Sequence, residues 1–195
     1  MKLVECVPNF SEGRDKSKVQ LVVDAAKSAG ATILDVETDI DHNRCVLSFV
    51  GAPETCVEAC FRVAKKSLEL IDLNAHQGAH PRMGAVDVIP FIPVKGVTIT
   101  ECVKLAEKLG EKIGGELRIP VYLYDHAARK PERKDLANVR KGQFEGLKEL
   151  IGKEETRTPD FGPNHIHPTA GAVAVGARRQ IVNFNLNLDT ADMTA

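Results

Sequence analysis

Residues 31–51 read ATILDVETDIDHNRCVLSFVG. Two runs rich in β-branched residues, ATILDVETD and NRCVLSFVG, flank the polar IDHN, which predicts two strands joined as a hairpin. On either side of the hairpin the pattern turns helical. Upstream, KVQLVVDAAKSAG sets Val19, Val22, Val23 and Ala26 on one face and stops at Gly30. Downstream, Pro53 takes the first-turn position of PETCVEACFRVAKKSLELI. The run LVECV, ended by Pro8, precedes the first helix, and AVDVIPFIPV follows the second. The order β-α-β-β-α-β predicts an α/β (α+β) domain with a ferredoxin-like core, an open mixed sheet with helices packed on it.

The core is extended by further strands. Thr98 to Gly114 reads as a third helix, with Thr98 and Glu101 in capping-box spacing. After it come the strand IPVYLYD, a charged stretch with short helical pieces at 130–153, the turn-rich TPDFGPNHIHPTAG, and the apolar AVAVGA. Residues 1–180 are read as one domain. Residues 181–195, beginning in the alternating IVNFNLNL, are read as a linker strand toward a further unit.

Composition narrows the function classes. The 195 residues are 43% hydrophobic and 27% charged, with a formal net charge of -1, so no global basic field is available for nucleic acid or an anionic membrane. No apolar run approaches the roughly 20 residues of a membrane span, and MKLVECVPNF is no secretory signal. Five cysteines, an odd and loosely spaced set, read as reduced and buried thiols of a cytoplasmic protein. Cys56 and Cys60 share a helix face, and no paired spacing predicts a metal site.

The chemistry concentrates in NAHQGAHPRMGAVDVIPF, residues 74–91. Pro81 biases His80 to an extended backbone, and Gly78 and Gly84 punctuate the loop. A loop histidine at a strand entrance suits general acid or base work. Arg82, two residues on, shares its face if the chain is extended. Asp87 interrupts an apolar run and calls for a histidine or arginine partner. His76 reads as a cap on the preceding helix end. Asp35, Glu37, Asp39 and Asp41 alternate along the hairpin, with Asp35 and Glu37 placed deep enough to orient a histidine or an amidinium. Asn43 offers donor and acceptor, and Arg44 a fork for carboxylate. NFSEG at 9–13 presents backbone to a ligand. The proline-pinned loop carrying His165 and His167, and the pair Arg178 and Arg179, are further candidates.

Taken in order, LVECVPNFSEG, NR after the acidic turn, GAHPRMGAVDVIPFIPV, GVT with ECV, PVYLYDHAAR, and DFGP through GARR resemble the glutamate formimidoyltransferase family, the formiminotransferase part of formimidoyltransferase-cyclodeaminase, over residues 3 to about 188. The resemblance implies transfer of a formimino group from N-formimino-L-glutamate to N5 of tetrahydrofolate, in histidine degradation and one-carbon metabolism, with folate as co-substrate and no metal. It implies two similar halves with folate between them, this chain being the first half. The partners are then the two small molecules and a C-terminal subdomain or partner subunit, with a homo-oligomer among the expected assemblies. By position the catalytic histidine falls on His80, and a carboxylate that is Asp in relatives falls on Glu37. Folate contacts fall on Gly162, Pro163, Asn164, His165, Ile166, His167, Pro168, Thr169, Ala170 and Gly171, and substrate carboxylates are left to Arg44, Arg82 or Arg178, with Asn43 beside them. Two rival expectations stand beside this one: a half that binds folate or a partner without turnover, and formyl transfer between glutamate and a reduced folate.

Overall fold

A computed structural model describes residues 1–182. The strands are β1 (Leu3–Cys6), β2 (Asn9–Phe10), β3 (Thr32–Asp39), β4 (Arg44–Gly51), β5 (Val86–Lys95), β6 (Val121–Asp125) and β7 (Val173–Ala177). The helices are α1 (Lys16–Ser28), α2 (Pro53–Leu70), α3 (Ile99–Lys112), α4 (Leu136–Arg140) and α5 (Gln143–Leu150). β1 and β2 act as one strand: both lie between β4 and β5, antiparallel to each. Pro8 interrupts the ladder because it has no N–H, yet its carbonyl still accepts the Leu47 N–H at 3.0 Å. NFSEG therefore begins as strand, not loop.

With that pair counted once, the order is β3-β4-β1/β2-β5-β7-β6. Its first four members are the antiparallel ferredoxin-like core. β5, β7 and β6 run parallel, with α3 as the crossover that makes the extension possible. The hairpin β3–β4 and the capping box of Thr98 and Glu101 form as the sequence predicts. Residues 181 and 182 are not strand, and the rest of the expected linker strand, 183–195, lies outside the described residues.

Period-2 alternation sorts the two sheet faces. Val4, Cys6, Cys45, Leu47, Phe49 and Phe91 turn toward α1, α2 and α3 and are fully buried. Burying a side chain of this size contributes about 1.5–3 kcal/mol. All five cysteines are free and buried. The opposite face is divided. Over β5, β7 and β6 it is roofed by residues 131–157, where Val88, Tyr122, Tyr124, Val139, Leu147 and Ile151 form a second small core. Gly176 is required there, since a Cβ on it would sit 2.6 Å from the Tyr124 ring. Over β3, β4 and β1/β2 the face is polar and unroofed among the described residues. Among those residues no helix is long and apolar enough to cross a membrane.

Candidate active site

Where the roofed and unroofed halves meet, β5 carries one residue more than its neighbour. Asn9 pairs with Val88 and Phe10 with Val86, so Asp87 is a bulge. A bulge re-aims its side chain, and bulges recur next to active sites. Asp87 is fully buried. Its Oδ1 accepts the Met83 N–H at 2.7 Å, while Oδ2 faces His80 Nε2 at 3.2 Å and the Arg140 guanidinium. Burial works against its ionisation, but His80, Arg140 and the Met83 N–H together hold the carboxyl below the usual carboxylate range. A carboxylate on Nε2 fixes the proton there. Nδ1 makes no hydrogen bond among the described residues and carries the lone pair whenever the ring is neutral; the residue is only 3% exposed.

The loop carrying His80 is tied down at several points. Asn43, at the hairpin tip with φ of 48°, accepts the Gly13 N–H through Oδ1 and donates to the Gln77 carbonyl. Its own carbonyl faces His76 Nε2 at 2.8 Å, and Ala79 N–H donates to the Asp41 carbonyl. Gly78 passes so close that a Cβ would lie 2.2 Å from the His42 carbonyl oxygen. Asn43 thus joins three loops, and its amide is committed to scaffold.

Two expectations change here. His76 does not cap α2; it bridges the Asn43 carbonyl and the Arg82 Nε, which donates to Nδ1 at 3.1 Å. Arg82 does not share a face with His80. Its N–H turns back onto the His80 carbonyl at 2.9 Å, a three-residue turn in place of extended chain. Its guanidinium goes to both carboxylate oxygens of Glu145 on α5, at 3.0 and 2.8 Å, which lowers the Glu145 carboxyl below its ordinary value.

The polar half of the sheet forms a groove of about 1040 Å³, lined by Glu5, Asn9, Glu37, Arg44, Ser48 and Arg178 among others. A recess of about 370 Å³ shares Asn9 and Arg178 with it and reaches Arg140, the partner of Asp87. Glu37, Arg44 and Arg178 are therefore brought to one surface. The Arg44 Nε is buried there without a hydrogen-bond partner among the described residues. Glu37 faces the groove and leaves the orienting of His80 to Asp87. Asp35 and Asp39 are spent locally, on the Val36 N–H and on His42.

Residues 162–171 are placed elsewhere, and none of them lines the groove or the recess. Gly171 bridges Gly84 and His167, and His167 Nδ1 accepts the Thr169 and Ala170 N–H groups. Sequence reasoning missed Glu5, Ser48 and Arg140. Alternation against buried Val4, Cys6 and Leu47 could have found the first two; Arg140 carries no local signal. Among the described residues no cluster of three or more His, Cys, Asp or Glu side chains comes together as a metal would need.

Residues 3–178 match the family model described as formiminotransferase domain, N-terminal subdomain. The chain is similar to a glutamate formimidoyltransferase of Streptococcus pyogenes serotype M1, 50% identical over 190 residues that make up 97% of this chain and 63% of that one. It is 50% identical over 196 residues to a glutamate formimidoyltransferase of Thermoplasma acidophilum, covering 99% of this chain and 64% of the relative. Against the formimidoyltransferase-cyclodeaminase of Sus scrofa it is 46% identical over 188 residues, 96% of this chain and 35% of the other. The chain spans less than two thirds of the length of each of these relatives.

Proposed function

The chain belongs to the formiminotransferase family, as its N-terminal subdomain, and from that premise we propose that it carries the proton-transfer centre for moving a formimino group from N-formimino-L-glutamate to N5 of tetrahydrofolate. The observation that carries the reading is the buried His80–Asp87 pair, joined through Arg140 to the recess that continues the open polar groove. In the proposed reaction N5 attacks the formimino carbon, and His80 Nδ1 accepts the proton that N5 sheds. The tetrahedral intermediate then collapses, the bond from carbon to the glutamate nitrogen breaks, and the proton returns from His80 to that nitrogen. Asp87 stabilises the transient imidazolium and holds the ring's orientation. Charge and proton balance close without a covalent enzyme intermediate.

The groove residues supply complementary charge. Glu37, and with it Glu5, faces the cationic amidine; Arg44 and Arg178 take carboxylates, which both glutamate and folate carry. Arg44 is the better anchor, because its buried Nε still lacks an acceptor among the described residues. Holding two substrates on one sheet face would contribute through proximity. The second reading is that of a folate-binding half that needs a complementary segment for turnover. It is favoured by one observation, that the relatives extend well beyond the length matched here.

The test is formimino transfer from N-formimino-L-glutamate to tetrahydrofolate by this chain beside His80→Ala, with folate binding followed by calorimetry. The expected loss in His80→Ala is about 10²–10⁴-fold in kcat, with folding and binding intact. Binding without turnover in the parent chain would support the second reading. Equal turnover in parent and variant would remove His80 from the chemistry.

A further inference from the structure

We infer that Arg140 is a positioning residue for the His80–Asp87 pair: it supplies the countercharge for Asp87, so that the imidazole can rest neutral and serve as a base. Asp87 is fully buried, and a buried carboxylate is costly unless a charge answers it. Its partners are the Met83 N–H, the His80 ring and the Arg140 guanidinium. The first is neutral and the third permanently cationic. Without Arg140, the positive charge nearest to Asp87 would have to come from His80 itself, in competition with its role as a base.

Arg140 comes from outside the four-strand core, and its place is well fixed. Asp135 caps α4 through the Ala137 N–H, and Val139 is buried in the second core. The Arg157 guanidinium clasps the carbonyls of Asn138, Val139 and Lys141 at 3.3, 3.2 and 3.0 Å. Arg140 lines the recess that continues the groove, and its Nε is buried with no hydrogen-bond partner among the described residues. Other charges near the histidine are accounted for. His76 on the same loop is bound to Asn43 and Arg82, Arg82 is paired with Glu145 of α5, and Glu12 of the β2–α1 loop accepts the Arg14 and Asp15 N–H groups.

This inference deepens the proposed reaction and rests on it only for its kinetic arm. The first measurement needs no turnover: titrate the His80 ring by NMR in the 195-residue chain, in Arg140→Met, Arg140→Lys and Asp87→Asn. Arg140→Met is expected to move the midpoint up by about one pH unit, Arg140→Lys to leave it near the parent, and Asp87→Asn to move it down. If Arg140→Met fails to fold, Arg140→Gln, which keeps a hydrogen bond and drops the charge, is judged by the same criterion. A midpoint unmoved in the folded neutral variant, or moved equally in the lysine variant, overturns the inference, since a merely structural arginine would give those results. In the kinetic arm, the acid limb of kcat/KM should shift upward by the same amount in Arg140→Met, with a loss that approaches about tenfold on the acid limb and recovers in alkali. A parent chain that transfers no formimino group would defeat the proposed reaction, while the His80 midpoints would still decide the role of Arg140.

Discussion

Asn43 and Arg44 are adjacent in sequence and do opposite work. The Asn43 side chain is buried, holds a left-handed backbone and satisfies two loop groups, so truncation strands a buried N–H and a carbonyl. Asn43→Ala should therefore cost about 2–4 kcal/mol of stability, read as a lower urea midpoint at unchanged slope. Arg44 presents a guanidinium to the groove with its Nε unanswered. Arg44→Met should leave the urea midpoint unchanged or slightly raised, while KM for one of the two carboxylate-bearing substrates rises about 10-fold or more. A stability loss in Arg44→Met equal to that of Asn43→Ala would show that Arg44 is scaffold too. The sequence grouped both residues as ligand contacts because type and position were visible in it, and commitments to Gly13 and Gln77, 30 or more residues away, were not.

At the scale of elements, what could be read from the chain was whatever repeats locally. Val19, Val22, Val23 and Ala26 gave α1 its buried face, and the Thr98–Glu101 spacing gave α3 its cap, both as the structure has them. The β1/β2 continuity was hidden because Pro8 looks like a terminator, and the strand resumes only through neighbours supplied by β4 and β5. The roof of 131–157 was legible as short helical pieces but not as a roof, because its anchor is a long-range ion pair. Arg133 is 3% exposed and meets Asp160 at 2.7 Å, while also binding the Thr156 and Thr158 carbonyls. Asp160 in turn accepts the Leu123 N–H of β6. Removing one member of such a pair leaves a buried charge unanswered, so Arg133→Ala should destabilise by about 3–5 kcal/mol. Hydrogen exchange would place the damage: protection should fall first in α4, α5 and β6, while β1, β4 and α2 stay protected. Uniform loss across the sheet would mean that roof and core unfold as one unit.

For the whole molecule, the arrangement has a consequence for its behaviour in acid. Two of its loops are held by neutral histidines, His76 and His167. His76 Nδ1 accepts from Arg82, and His167 Nδ1 accepts from Thr169 and Ala170, so neither nitrogen can take a proton without losing its bond. Burial lowers both rings below the ordinary histidine value; at His76 the facing Arg82 adds to this, and at His167 the neighbouring His165 does. In the unfolded chain each titrates near about 6.5. Between that value and the lower folded one, the unfolded state binds more protons, so stability rises with pH through this window and is lost as pH falls below about 6.5. Asp87 works at more acid pH with the same sign: its carboxyl is lowered in the fold, so its contribution is present at neutrality and disappears as pH falls through the folded value. Urea midpoints should then decline in two stages on acidification, a shallow one below about pH 6.5 and a steeper one below about pH 4. His76→Gln combined with His167→Gln should flatten the first stage and leave the second. If the double variant keeps the full upper slope, the protons are being taken up elsewhere, and the loops of His76 and His167 are not where acid first acts.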